Sequence, residues 1–203
     1  MRTNIFNCKI HISFPLIVIL TLSTIWDKSG ITVLGFVATI IHELGHILAM
    51  KYKNYEIKEI HLSLFNFNIV DYNRNEKNFN DDIFILASGP LLNLICASIF
   101  FTLFQLIPQK FLFYFFLENL LIAIVNLLPI ASLDGGQILY IILSIKYNEK
   151  KAYYILNIIS IAFLFPIAII SFLVLLKSRY NFSLLWIVIY LITLLITKKS
   201  EYI

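Results

Sequence analysis

The stretch ATIIHELGHILAM, residues 38–50, carries His42, Glu43 and His46 inside an apolar run. Residues four apart share one face of an α-helix. A helix here therefore stacks two imidazoles on successive turns, where both can bind one Zn²⁺. Glu43, between them, is placed to act as general base toward water brought to that metal. A glycine inside a helix costs about 1 kcal/mol relative to alanine, so Gly45 implies that another backbone or a substrate comes close at this level. A catalytic zinc takes three protein ligands, and the third must come from elsewhere in the chain.

The elements that must position these residues belong to a membrane protein. The chain of 203 residues is 60% hydrophobic and 14% charged, with a mean hydropathy of +0.85. A soluble domain needs more charge to cover its surface. Apolar stretches at Ile10–Trp26, Ile31–Met50, Ile83–Leu106, Phe111 to Ile145, Tyr153–Leu176 and Phe182–Thr197 predict about six passages. The first is read as an uncleaved span, because no small-x-small site closes it before TIWDKSG. The fold class is all-α polytopic, a single integral membrane domain over residues 1–203. A polar segment interrupts it at Lys51–Asp82, where the alternation in EIHLSLFNFNIV predicts a short β-hairpin against the membrane.

A net charge of +4 and a pI near 9.0 would suit nucleic acid, but in a membrane protein the position of the basic residues carries the information. With the N-terminus in the cytoplasm, twelve basic residues fall on that side: Arg2, Lys9, Lys51, Lys53, Lys58, Arg74, Lys77, Lys146, Lys150, Lys151, Lys198 and Lys199. Four fall opposite: Lys28, Lys110, Lys177 and Arg179. That bias places both termini in the cytoplasm, with the lipid bilayer as a partner and no direct contact with nucleic acid. Cys8 and Cys96 fit no disulfide framework or thiolate metal site.

An ionisable residue at mid-span costs about 2.5–3.5 kcal/mol on insertion scales. Three together need a compensating partner, and a metal is one. A buried polar cluster, or a path for protons or ions, is the competing reading. For the third ligand, His11 and His61 lie away from the apolar spans' middles, which leaves Glu118 and Asp134. Both fall in the fourth segment, whose roughly 35 residues would reach about 52 Å as one helix against a hydrocarbon core of about 30 Å. Pro129 and the Gly135–Gly136 pair break that helix. Irregular backbone at membrane depth is tolerated where it is buried in protein or lines a wet cavity. A break there lets the chain turn back and bring Asp134 toward His42, whereas Glu118 is read as a cap or a pair near the outer surface.

Three motifs in order now carry a resemblance: HELGH, ASGPLLN and NLLPIASLDGG. Together they resemble the site-2 protease family of intramembrane zinc metalloproteases, over residues 31–145. The resemblance implies that His42, His46 and Asp134 bind Zn²⁺ and that Glu43 activates the attacking water. Asn126, Pro129, Asp134 and Gly135 match the family's N-x-x-P-x-x-x-x-D-G pattern, with Asn126 positioning the substrate strand or the oxyanion. Gly89, Pro90 and Asn93 of the second motif would pack the third span against the catalytic pair. The short layout is most similar to the sporulation branch, the stage IV FB proteases. That implies a membrane-associated substrate such as a sigma-factor precursor, a membrane-protein inhibitor, and the membrane around a forespore.

Two departures from that branch stand in the sequence. LFNF replaces a PFGG-like stretch, and the chain closes on KKSEYI with neither a nucleotide-sensing nor a PDZ domain expected. The alternatives are a site-2 protease acting on another transmembrane regulator, a zinc or proton transporter, and a catalytically dead scaffold. A transporter favours inverted repeats and several broken helices, but only one broken segment is visible; an intact Glu43 speaks against the scaffold.

Overall fold

The computed structural model describes residues 2–5, 8–12, 21–22, 24–25, 27, 29–55, 59–62, 67–70, 78–177, 188–189 and 191–193. In chain order the elements are β1 (Arg2–Ile5), β2 (Cys8–Ile12), α1 (Ile31–Tyr52), β3 (Glu59–Leu62), β4 (Phe67–Val70), α2 (Phe79–Leu106), α3 (Lys110–Asn126), α4 (Asp134–Lys146) and α5 (Glu149–Lys177). Three of them, α1, α2 and α5, are long and apolar enough to cross a membrane, and the protein is an integral membrane protein. The chain forms two compact units, Met1–Ile124 and Val125–Ile203.

In the first unit, Asp27 prepares the start of α1. Its carboxylate accepts from the backbone N–H groups of Ser29 (2.8 Å) and Thr32 (2.6 Å) and from the Ser29 hydroxyl. The Ser29 hydroxyl and the Thr32 N–H together hold that carboxyl well below the usual carboxylate range. At the other end Asn54 takes a left-handed conformation (φ 60°) that asparagine tolerates. Lys53 bridges to Asp81 at 2.6 Å, tying the end of α1 to the start of α2. From there α2 runs antiparallel to α1, since partners further along α1 meet residues earlier in α2. The next helix, α3, returns along α2, joined by ring pairs Phe100–Phe115 (centroids 4.5 Å apart), Phe101–Phe116 (5.1 Å) and Phe104–Phe113 (5.2 Å).

The expected hairpin proves to be half of a larger sheet. Its strands, β3 and β4, pair antiparallel, and β1 and β2 extend the order to β1-β2-β3-β4, with β2 parallel to β3. Ile10–Ile12, expected to open the first passage, are strand instead, paired with Ile60–Leu62. The reason is the same period-two alternation that marks β3: Lys9 and His11 alternate with Ile10 and Ile12. The remainder of that passage, and the expected passage at Phe182–Thr197, lie largely outside the described residues.

The long fourth segment is broken around Pro129, whereas Gly135 and Gly136, expected to share in the break, lie in the first turn of the helix that follows. Its first helix, α3, ends at Asn126, residues 127–133 form tight turns, and α4 begins at Asp134. In the second unit, Ile130, Leu164 and Leu191 form a buried cluster, with Leu128, Leu133 and Ile167 packed around it. Apolar side chains of the turn segment thus anchor it against α5.

Candidate metal centre

Both histidines sit on the buried face of α1; His42 is 4% and His46 9% exposed. Each ring is held through Nδ1. His46 Nδ1 lies 2.8 Å from the carbonyl oxygen of Ile85, which only accepts, so this nitrogen carries a proton. His42 Nδ1 lies 2.9 Å from Asn93 Oδ1. The amide of Asn93 cannot be the other way round, because its Nδ2 donates to the carbonyl of Ala38 (3.0 Å) and to Asn119 Oδ1 (2.9 Å). Hence His42 Nδ1 also donates.

With both rings neutral, each Nε2 would carry a lone pair, and the two Nε2 atoms lie 3.2 Å apart. Two lone pairs at that distance repel unless something positive lies between them. Tetrahedral ligation of Zn²⁺ at 2.0–2.1 Å sets two ligand nitrogens about 3.3 Å apart. The pair fits a zinc ion in spacing, tautomer and orientation.

Close packing holds this geometry. A Cβ built on Gly45 would lie 2.6 Å from the Ser88 carbonyl oxygen and 2.8 Å from Gly89 Cα, so Gly45 is where α2's backbone approaches α1. Ser88 Oγ stands 2.9 Å from the Gly45 carbonyl and 2.6 Å from that of Ile85, with one proton to share. A Cβ on Gly89 would lie 2.5 Å from His46 Nε2 and 3.0 Å from His42 Cε1. Gly89 and Asn93 thus bring α2 against the histidines, and Pro90 is buried between them in sequence on the same helix. Glu43 is half-buried beside them on α1. Glu118 rests its carboxylate over Gly35, where an added Cβ would be 3.2 Å from Oε2. Gly35 is seven residues before His42, about 10 Å along the helix. Glu118 therefore belongs neither to the histidine pair nor to a helix cap.

In the second unit Asp134 is the first residue of α4 and is 9% exposed. The partial positive charge at a helix start favours a carboxylate there. The turns before it fold back over that start: a Cβ on Gly135 would collide with the carbonyl of Leu127, and one on Gly136 with that of Ile130. Both glycines are required by close approach. Asn126, half-buried, is the last residue of α3, immediately before the break.

Two residues that sequence reasoning passed over hold these parts. Asn119 of α3 is fully buried; it donates to the Phe115 carbonyl at 2.8 Å and accepts from Asn93. An amide in the middle of an apolar helix, before LLIA, is a signal that was available, since polar groups in spans are costly. Ser160 of α5, also fully buried, accepts from the Ala131 N–H at 3.0 Å and donates to the Leu156 carbonyl at 2.8 Å, pinning the turn before Asp134. A serine in an apolar helix carries no such signal.

Comparison with known proteins gives concordant relatives. Residues 102–167, which include Asn126, Pro129 and Asp134, match Peptidase family M50. Stage IV sporulation protein FB of Bacillus subtilis (strain 168) is 28% identical over 147 residues, 71% of this chain and 51% of that protein. A zinc metalloprotease of Methanocaldococcus jannaschii is 30% identical over 155 residues, 71% of this chain and 44% of that protein. The chain thus spans about half the length of the curated relatives it matches. The solved structure of the site-2 protease from Methanocaldococcus jannaschii shares the fold, with a TM-score of 0.70 at 23% identity over 97% of this chain and 94% of that one.

Proposed function

We propose that the chain, which matches Peptidase family M50 over residues 102–167 and resembles two curated relatives of the site-2 protease kind, is an intramembrane zinc metalloendopeptidase. The observation that carries the proposal is the pair of Nε2 atoms 3.2 Å apart, each ring held at Nδ1 by an oxygen acceptor, with Glu43 next to His42 on the same helix. We propose that Asp134 supplies the third ligand, because two imidazoles and a carboxylate form a donor set suited to zinc.

Bound zinc supplies Lewis acidity, polarising an oxygen brought to it. The chain's own residues do the rest. His42 and His46 hold the ion with their Nδ1 protons locked to Asn93 and Ile85. Glu43 takes the proton of the attacking water and passes it to the departing amine. Asn126 donates from its amide to the oxygen of the scissile carbonyl as charge develops there. An extended substrate pairs with β4, which lies at one end of the sheet order.

The similarity to a sporulation protein supports a membrane-associated substrate of the sigma-factor-precursor class, in the membrane around a forespore. The basic residues support cytoplasmic termini and a cut at or just inside the cytoplasmic face. Co-expression with a tagged sigma-factor precursor, alongside Glu43→Gln, tests the reading. Cleavage that vanishes in Glu43→Gln supports it, and an active Glu43→Gln protein refutes the mechanism. A new terminus mapped by mass spectrometry to the outer half of the membrane refutes the orientation.

A further inference from the structure

Behind the metal-facing histidines runs a single chain of hydrogen bonds, and its far end lies on a helix that offers no ligand. The Phe115 carbonyl accepts from Asn119 Nδ2 (2.8 Å), Asn119 Oδ1 accepts from Asn93 Nδ2 (2.9 Å), and Asn93 Oδ1 accepts from His42 Nδ1 (2.9 Å). The geometry points to Asn119 as a positioning residue for the metal, acting on His42 through Asn93. This inference rests on the zinc reading above.

An amide can turn over at little steric cost, which exchanges its oxygen and nitrogen. Turned over, Asn93 would present N–H groups to His42, and the proton of the ring would have to move to Nε2, where a metal could no longer bind. Two acceptors prevent this: the Ala38 carbonyl and Asn119 Oδ1, each taking one proton of the same NH₂ group. The Ala38 carbonyl belongs to α1 itself, four residues before His42. Asn119 is the contribution from outside, and its own amide is oriented by Phe115. With Asn93 and Asn119 both 0% exposed, no water stands in for a lost partner. Partners that orient metal-bound histidines typically change affinity 10–100-fold when removed.

A packing role and an orienting role predict opposite orders of variants. In Asn119→Asp the protonated carboxyl keeps both bonds, accepting from Asn93 and donating to Phe115. In Asn119→Leu the apolar side chain suits a membrane interior but makes neither bond. The test is zinc affinity by chelator competition on the full chain in detergent micelles. It is paired with ¹⁵N spectra of labelled histidine in the zinc-free protein, which report which ring nitrogen is protonated. Asn119→Leu should bind zinc about 10–100-fold more weakly and show a tautomer mixture at His42. Asn119→Asp should stay within about threefold, with His42 protonated at Nδ1 as in the unsubstituted protein. Asn119→Ala repeats the comparison if the leucine variant does not fold. Equal zinc affinity for leucine or alanine and the unsubstituted protein, or equal losses in aspartate and leucine variants, would overturn the inference alone. An unsubstituted protein that binds no zinc would overturn the metal reading with it.

Discussion

Replacing Gly89 by alanine tests whether the histidine geometry is set by backbone contact. The new methyl would lie 2.5 Å from His46 Nε2, 2.6 Å from its Cε1 and 3.0 Å from His42 Cε1. Non-bonded heavy atoms rest about 3.5–4.0 Å apart, so the His46 ring or the α2 backbone must withdraw by about 1 Å. The ring is not free to slide, because its Nδ1 is bound to Ile85, four residues before Gly89 on the same helix. Opening the helix pair instead stretches the Ser88–Gly45 contact. A metal site tolerates about 0.2 Å in ligand distance, so a shift of about 1 Å is roughly five times too large. Overpacking of this kind costs about 1–3 kcal/mol, and since 1.4 kcal/mol is a factor of ten, zinc affinity should fall by roughly 5–150-fold. Gly35→Ala is the control: its methyl would meet only the flexible end of Glu118 at 3.2 Å. Zinc per chain, measured by mass spectrometry of the metal after dialysis against graded chelator, reads both. If Gly89→Ala holds zinc as tightly as Gly35→Ala, close approach of α2 does not shape the site.

Other expectations follow from single contacts. Asp134→Asn should weaken zinc retention while Glu118→Gln leaves it unchanged, measured by the same dialysis; the reverse order removes Asp134 from the donor set. Glu43→Gln should retain zinc and lose turnover, since the amide accepts no proton at neutral pH. Ser160→Ala leaves the buried Ala131 N–H without its acceptor. It should lower unfolding stability by about 1–3 kcal/mol, read by thermal denaturation in micelles, and an unshifted midpoint would show that the turn is held otherwise. Asp27 has a depressed folded-state pKa, so its support for α1 is present above the ordinary carboxylate range and fades as pH falls toward the folded value. Amides at the start of α1 should exchange faster in Asp27→Asn at neutral pH, and that difference should shrink in strong acid.

What could be read from the residue string was local or periodic. The spacing of His42 and His46 needs only a helix to place both rings on one face, and composition alone makes that helix apolar. Pro129 disrupts a helix wherever it packs, so the break between α3 and α4 was visible, as was the strand alternation of β3 and β4; Gly135 lies inside α4, where close approach of the Leu127 carbonyl requires it. Lys9 to Ile12 shows the same alternation, but the apolar residues that follow masked it, and only pairing with β3 decided in favour of strand. Which proton each imidazole carries could not be read at all. That depends on Ile85, 39 residues from its histidine, and on Asn93, 51 residues from His42 and itself set by Asn119 across 26 more. Hydrogen bonds over such separations exist only once the helices have packed, because the orientation of an amide is a property of its neighbours in space. Ser160 shows the same limit from the other unit: the residue is ordinary, and the turn it pins, through Ala131, is brought to it by the fold.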